Sequence, residues 1–207
     1  MSYRINELFY SLQGEGRNTG RAAVFIRFAG CNLRCSFCDT EFDSYREMSA
    51  DEIVDAISVW PSRFVVLTGG EPTLQVDEAF VELLHQHGYE VAMESNGTRP
   101  APRNLDWLTV SPKDWWKASG GWWMEHSSHI NELKIVFDED TPENLSTLHP
   151  PLSTLHHSPS TLHLYLQPCD TGDAERNVRI LHLCIEYIKQ HPQWRLSLQT
   201  HKLVGIR

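Results

Sequence analysis

The sequence predicts an α/β fold, with βα units laid around a parallel sheet and the chemistry gathered at the carboxyl ends of the strands. Apolar runs at 22–29, 63–67, 89–93 and 107–110 each give way to a polar, turn-prone loop. Stretches between them repeat their apolar residues at helical spacing. A third observation places the chemistry: residues 31–38 read CNLRCSFC, three closely spaced thiols directly after an apolar run.

The elements follow in chain order. Residues 11–17, SLQGEGR, set two glycines around a glutamate, which makes either a plain turn or a loop whose backbone approaches a ligand. The next run, AAVFIRFA, is apolar on both alternating faces and reads as a buried strand. Arg27 is its exception. A buried guanidinium needs an anion, either an ion-pair partner in the protein or a ligand carboxylate. Asp39 and Thr40, just past the last thiol, suit a magnesium ion or a local backbone cap. Ser49-x-x-Glu52 is a capping box that opens a helix with Ile53, Ala56, Ile57 and Trp60 on one face; Pro61 closes it. The strand at 63–67 runs into Thr68-Gly69-Gly70-Glu71-Pro72, which exposes backbone at a strand end and offers a glutamate to an ammonium.

A second helix carries Val76, Ala79, Phe80, Leu83 and Leu84 on one side, with Gly88 as its carboxyl cap. The strands at 89–93 and 107–110 lead into ESNGT and Ser111-Pro112-Lys113. Trp115-Trp116 and Trp122-Trp123, around Gly120-Gly121, break the pattern and suit a subunit interface, a hydrophobic plug or a lid. Residues 133–137 read as a fifth strand. Ser-Thr-Leu-His recurs at 146–149, 153–156 and 160–163, but Pro150, Pro151 and Pro159 exclude a coiled coil. The histidines there lack metal-site spacing, and the segment reads as a variable surface loop before a sixth strand at 162–166. Asp173 caps a helix whose face is Val178, Leu181, Ile185 and Ile188; Cys184 then reads as core and Cys169 as a loop thiol. The tail at 194–199 alternates like a strand and returns the last residues to the body of the fold, where they can help to close a pocket.

A chain of 207 residues suits one compact domain, 1–207, with a variable loop near 141–161, and 41% apolar residues can bury a real core. A formal charge of −9 argues against a non-specific nucleic-acid binder. No apolar stretch approaches the roughly 20 residues of a membrane span, and the amino terminus does not read as a secretory signal. With five cysteines and no signal, the cytoplasm is the expected compartment.

Thiolates at Cys31, Cys35 and Cys38 could hold three corners of an iron–sulfur cube and leave the fourth iron for a chelating molecule; electron-transfer clusters usually close all four with cysteine. Structural zinc is the alternative, although it usually draws on paired knuckles, and Cys169 and Cys184 form none. A disulfide is poorly supported.

C-x3-C-x2-C with Phe37 before the last cysteine, followed by a strand-end GGEP, resembles the radical S-adenosylmethionine superfamily. Within it the chain resembles the 7-carboxy-7-deazaguanine synthases through SLQGEG (11–16), FIRFAGCNLRCSFCDT (25–40), TGGEP (68–72), ESNGT (94–98), SPK (111–113), LQP (166–168) and WRLSLQTHK (194–202). The segment 141–161 is the least family-like. The resemblance implies an open partial (β/α) barrel with about six parallel strands and about three main helices, short of the roughly 250 residues of a full barrel.

It also implies roles. Cys31, Cys35 and Cys38 hold a 4Fe–4S cluster, whose open iron binds the methionine end of S-adenosylmethionine. Phe37 lies near the adenine; Gly69, Gly70 and Glu71 receive the methionine moiety; Ser95, Ser111, Pro112 and Lys113 contact the nucleoside side. Thr40 ligates magnesium. The substrate is 6-carboxy-5,6,7,8-tetrahydropterin, with Leu12, Gln13, Gly14 and Glu15 at its ring, Arg27 on its carboxylate and Thr68 nearby. His201 and the terminal carboxylate of Arg207 close over it. No side chain is assigned as the catalyst. The cofactor-derived radical takes a hydrogen from the pterin, the ring contracts beside magnesium, the hydrogen returns and ammonia leaves. A homodimer and an electron donor such as flavodoxin are the implied partners, with no nucleic acid and no membrane. Two rivals remain: a small radical enzyme of another kind, such as a glycyl-radical activase, and a non-enzymatic metal-binding module.

Overall fold

The computed structural model describes residues 2–113, 123, 129–146 and 162–207. Trp115-Trp116, Trp122, Gly120-Gly121 and most of the Ser-Thr-Leu-His repeat lie outside the described residues. The strands are β1 (Ser2–Leu12), β2 (Ala22–Phe28), β3 (Arg46–Ser49), β4 (Phe64–Gly69), β5 (Glu90–Ser95), β6 (Trp107–Val110), β7 (Glu132–Phe137), β8 (His163–Pro168) and β9 (Trp194–Leu196). The helices are α1 (Ala50–Ile57), α2 (Glu78–Gln86), α3 (Thr141–Ser146), α4 (Ala174–Gln190) and α5 (Thr200–Val204). Strand order is β3-β1-β2-β4-β5-β6-β7-β8-β9, an open sheet whose two edges are β3 and β9. From β2 through β9 every neighbouring pair is parallel, while β1 runs antiparallel to both β2 and β3. This is the expected open partial (β/α) barrel.

The sequence reading missed β1 and β3. Along β1, Tyr3 and Ile5 are buried on alternate positions, but the register with β2 shifts between Ile5 and Glu7. That bulge breaks the two-residue period by which a strand is read. Helix α1 has the expected capping box: Ser49 Oγ accepts the Glu52 N–H, and Glu52 accepts the Ser49 N–H. It ends at Ile57, before the turn at 58–60, so Pro61 does not itself stop it. Asp77 and Asp173 cap α2 and α4. The buried side of α4 is Ile180 and Cys184, whereas Val178 is exposed, so the expected face is turned by about one residue.

Alternation along each parallel strand divides the core in two. Outward residues such as Val24, Ile26, Leu67, Met93, Ile135 and Phe137 pack with Ile53, Ile57, Phe80, Leu84, Ile180 and Cys184 from the helices. Inward residues form a smaller cluster, Phe9, Ala23, Phe25, Phe64, Val66 and Ala92. Beyond that cluster the same face turns polar.

Candidate active site

The inward positions that follow the small cluster are Arg27 on β2, Thr68 on β4, Glu94 on β5 and Lys134 on β7. They line a cavity of about 750 Å³, within the range of small-molecule sites. Cys31, Cys35 and Cys38 line it too, as do Phe37, Thr40, Gly69, Gly70, Ser95, Ser111 and Lys113. Leu12, Gln13, Gly14, Glu15, His201 and Arg207 complete the expected residues gathered there. Distant stretches of chain therefore share one space.

Two expected residues do not line it. Glu71 is fully buried, and its carboxylate accepts hydrogen bonds from Thr73 N (3.1 Å), Thr73 Oγ1 (2.7 Å), Ser95 Oγ (2.9 Å) and Asn96 N (2.7 Å). Three of those bonds fall on Oε1 and one on Oε2, so the carboxylate ties the end of β4 to the end of β5 from behind the cavity wall. Pro112 also stays off the cavity wall, between Ser111 and Lys113, which reach it.

The two glycines at the end of β4, Gly69 within it and Gly70 just past it, are required by packing. A Cβ on Gly70 would lie 2.0 Å from the Gly30 carbonyl oxygen, and Gly69 has φ +120°. Gly70 N donates to Phe28 O (3.0 Å) and Glu71 N to Gly30 O (2.9 Å), which seats the strand end against the start of the thiol loop. Inside that loop Cys38 N donates to Cys35 O (3.2 Å), and Leu33 N donates to Cys31 Sγ (3.4 Å). Such N–H donors to sulfur are among the levers that tune an iron–sulfur cluster. Among the described residues no three His, Cys, Asp or Glu side chains converge on a single ion. A cube takes each thiolate on a different iron, so three thiols around one shared space fit it. Lys113 Nζ donates to Ser111 Oγ (2.9 Å) and lies 5.9 Å from the Phe37 ring centroid. Burial, and then Lys134, lower its pKa.

The 12–17 loop is held by a knot of charge that the sequence did not disclose. Lys134 Nζ bonds Glu15 Oε2 (2.6 Å) and Glu94 Oε2 (2.9 Å), and Gln13 Nε2 donates to Glu94 Oε1 (3.2 Å). Burial opposes the charge on Glu15, but Lys134 overrides it and brings the pKa down to about 2. Burial opposes the charge on Lys134 as well, and the surrounding glutamates raise its pKa regardless. Glu132, 1% exposed, accepts the Arg17 N–H (2.9 Å); burial and then Glu94 raise its pKa to about 7. Lys134 was hidden inside a run read as an apolar strand.

The tail closes the open side of the sheet. Thr200 donates to the Gly14 carbonyl through its N–H (3.0 Å) and its Oγ1 (2.8 Å). Gln199 Nε2 reaches Glu15 Oε1 (3.1 Å), and Lys202 bridges Asp39 (2.7 Å) and Asp170 (3.0 Å). Glu94, Gln167, Asp170, Gln199 and Lys202 all line the cavity without having been singled out as ligand residues, and Asp39, read as a candidate magnesium donor, lines it too. The tripeptide LQP had pointed to Gln167, although only as part of a family pattern.

The family model for the radical S-adenosylmethionine superfamily matches residues 25–116, the stretch from β2 through the thiol loop to just past β6. The 7-carboxy-7-deazaguanine synthase of Bacteroides thetaiotaomicron is 44% identical over 207 residues, covering 100% of both chains. The protein of the same name from Bradyrhizobium diazoefficiens is 42% identical over 231 residues, again with full coverage. The crystal structure of QueE from Escherichia coli superposes with a TM-score of 0.77 at 30% identity, covering 96% of this chain and 94% of that one. Membership of the superfamily implies a 4Fe–4S cluster and S-adenosylmethionine, which the three thiols and their shared cavity fit. With its thiol loop, strand-end glycines and full-length relatives in agreement, the chain belongs to the 7-carboxy-7-deazaguanine synthase family of the radical S-adenosylmethionine superfamily.

Proposed function

We propose that the protein converts 6-carboxy-5,6,7,8-tetrahydropterin to 7-carboxy-7-deazaguanine with loss of ammonia, a carbon–nitrogen lyase step of queuosine and deazapurine biosynthesis. What carries this reading is the shared cavity, into which the three thiols, Arg27 and the 12–15 loop all open. Cys31, Cys35 and Cys38 would hold the cluster, with Phe37, Gly70, Ser95, Ser111 and Lys113 around S-adenosylmethionine. When bound, that pair supplies a 5′-deoxyadenosyl radical able to take hydrogen from an unactivated carbon, which no side-chain base does.

The protein's own residues bind and orient. Arg27 offers a planar donor fork to the substrate carboxylate. Glu15, kept ionised by Lys134, accepts N–H groups of the pterin ring beside Gln13 and the Gly14 backbone. Phe9, Phe25, Val66 and Val136 make an apolar wall that keeps water from a reactive intermediate. Thr40, next to Asp39 in the cavity wall, would ligate magnesium. His201 and the tail cover the ring. We read residues 1–207 as one domain, working as a homodimer with an electron donor such as flavodoxin. Among the described residues no helix is long and apolar enough to cross a membrane. The five cysteines, which form no disulfide, suit the reducing cytoplasm.

The test is an anaerobic assay of the cluster-loaded protein with reductant, S-adenosylmethionine, magnesium and the carboxypterin, read by mass spectrometry. The expected result is deazaguanine acid in excess of the cofactor consumed. Release of 5′-deoxyadenosine without that product would remove the substrate assignment.

A further inference from the structure

Building on the carboxypterin reading, we propose that Arg207 is a specificity-determining residue: its guanidinium engages Glu7 and so leaves Arg27 to the substrate's carboxylate. Glu7 and Arg27 face each other across the β1–β2 ladder. Their contact runs from Arg27 Nε to Glu7 Oε2 at 3.6 Å, longer than a hydrogen bond. The other oxygen, Glu7 Oε1, is in direct contact with Arg207 Nη2. Glu7 thus leans toward Arg207, and the outer donors of Arg27 stay available for a carboxylate.

Two more observations make this a built arrangement. Both guanidiniums lie over the face of one ring, Phe9, at 5.4 Å for Arg27 and 5.7 Å for Arg207, and that ring stacks on Phe25 at 4.7 Å. Stacking holds the ring fixed, and its negative face favours both cations. Ser11 Oγ donates to an oxygen of the Arg207 terminal carboxylate at 2.5 Å, which pins Arg207 to β1 beside the cavity. The Arg207 guanidinium offsets Glu7, and the Arg27 guanidinium is left to face the substrate carboxylate. Without the Arg207 guanidinium, Glu7 has Arg27 as its cationic partner. The incoming carboxylate then competes with Glu7 for Arg27 beside an unneutralised like charge.

The experiment measures carboxypterin affinity on the oxidised holoenzyme, where no turnover occurs, by equilibrium dialysis, together with KM and kcat under anaerobic reducing conditions. The variants are Arg207→Ala, Arg207→Lys, Glu7→Gln and the double variant Glu7→Gln/Arg207→Ala. Because these groups are partly solvated, Arg207→Ala is expected to raise Kd and KM about 5- to 10-fold, with kcat little changed. Arg207→Lys should stay near wild type. The double variant should return to within about twofold of wild type, because removing the Glu7 charge removes the need for Arg207. Tetrahydropterin lacking the carboxylate should bind all variants alike. The proposal is overturned if Arg207→Ala binds carboxypterin as tightly as wild type, if the double variant stays as weak as Arg207→Ala, or if Arg207→Ala weakens both pterins equally. A wild-type protein that cleaves S-adenosylmethionine but binds no carboxypterin would overturn the substrate reading itself.

Discussion

At Glu132 burial and charge oppose a proton's departure together. The carboxyl sits among the side chains of the sheet interior, with Glu94 as an anionic neighbour, and Lys134 and the Arg17 N–H offset only part of the cost. Its pKa is raised from 4.5 to about 7. The unfolded chain therefore releases this proton first as pH rises, the folded protein holds the excess proton, and stability falls with pH across that window. The full loss is on the order of 3 kcal/mol above pH 7. Glu132→Gln keeps an oxygen for the Arg17 N–H and removes the titration. In anaerobic urea unfolding the variant should gain on wild type by about 3 kcal/mol between pH 4.5 and 8. A stability difference that does not change with pH would show that Glu132 stays ionised in the fold. One glutamate ahead of an apolar run carries no mark of this; its environment comes from the 12–17 loop and from β5.

Among the elements, α5 is short, yet it connects the two halves of the site. Thr200 and Gln199 hold it to the substrate-side loop, and Lys202 holds it to Asp39, between Cys38 and Thr40. Lys202 also reaches Asp170, beyond β8. A five-residue helix has little stability of its own, so these contacts keep it in place. Lys202→Met should leave global unfolding nearly unchanged and speed amide exchange across residues 199–206 about fivefold, the equivalent of about 1 kcal/mol for a partly exposed charge network. Unchanged exchange there would mean that the Thr200–Gly14 bonds hold the tail without it. The tail was legible as a strand returning to the fold, and β9 is that strand, but its three residues are followed by a helix rather than by extended chain.

For the molecule as a whole, β1 decides the shape of the sheet. It lies between β3 and β2, its inward Glu7 and Phe9 line the cavity, and Tyr3 and Ile5 enter the main core. Without it the parallel strands would carry a bare edge next to the substrate side. Ile5 is fully buried, so Ile5→Ala should cost about 2–5 kcal/mol. Denaturant unfolding monitored by circular dichroism checks this. A loss under about 1 kcal/mol would mean that the β1 edge repacks freely. The same measurement tests whether an antiparallel addition to the βα units bears on the stability of the entire sheet.

Local information sufficed for the βα alternation, the capping box at Ser49, and the helix start at Asp173, because each rests on residues within a few positions of one another. The motif residues of the cavity were legible as well, since a thiol triplet and a strand-end GGEP are contiguous in the chain. Only the tertiary structure decided what depends on distant partners. Glu71, legible as a ligand group, is buried behind the cavity wall and bonded to Thr73, Ser95 and Asn96, and Lys134 is revealed as the centre of a charge knot. The α4 face is set by which residues β8 and β9 leave room for, and β1 is a strand despite its bulge because β2 and β3 pair with it on both sides. A pattern of residues specifies what can be buried; which hydrogen bonds and charges are satisfied is settled only when strands far apart in sequence come together.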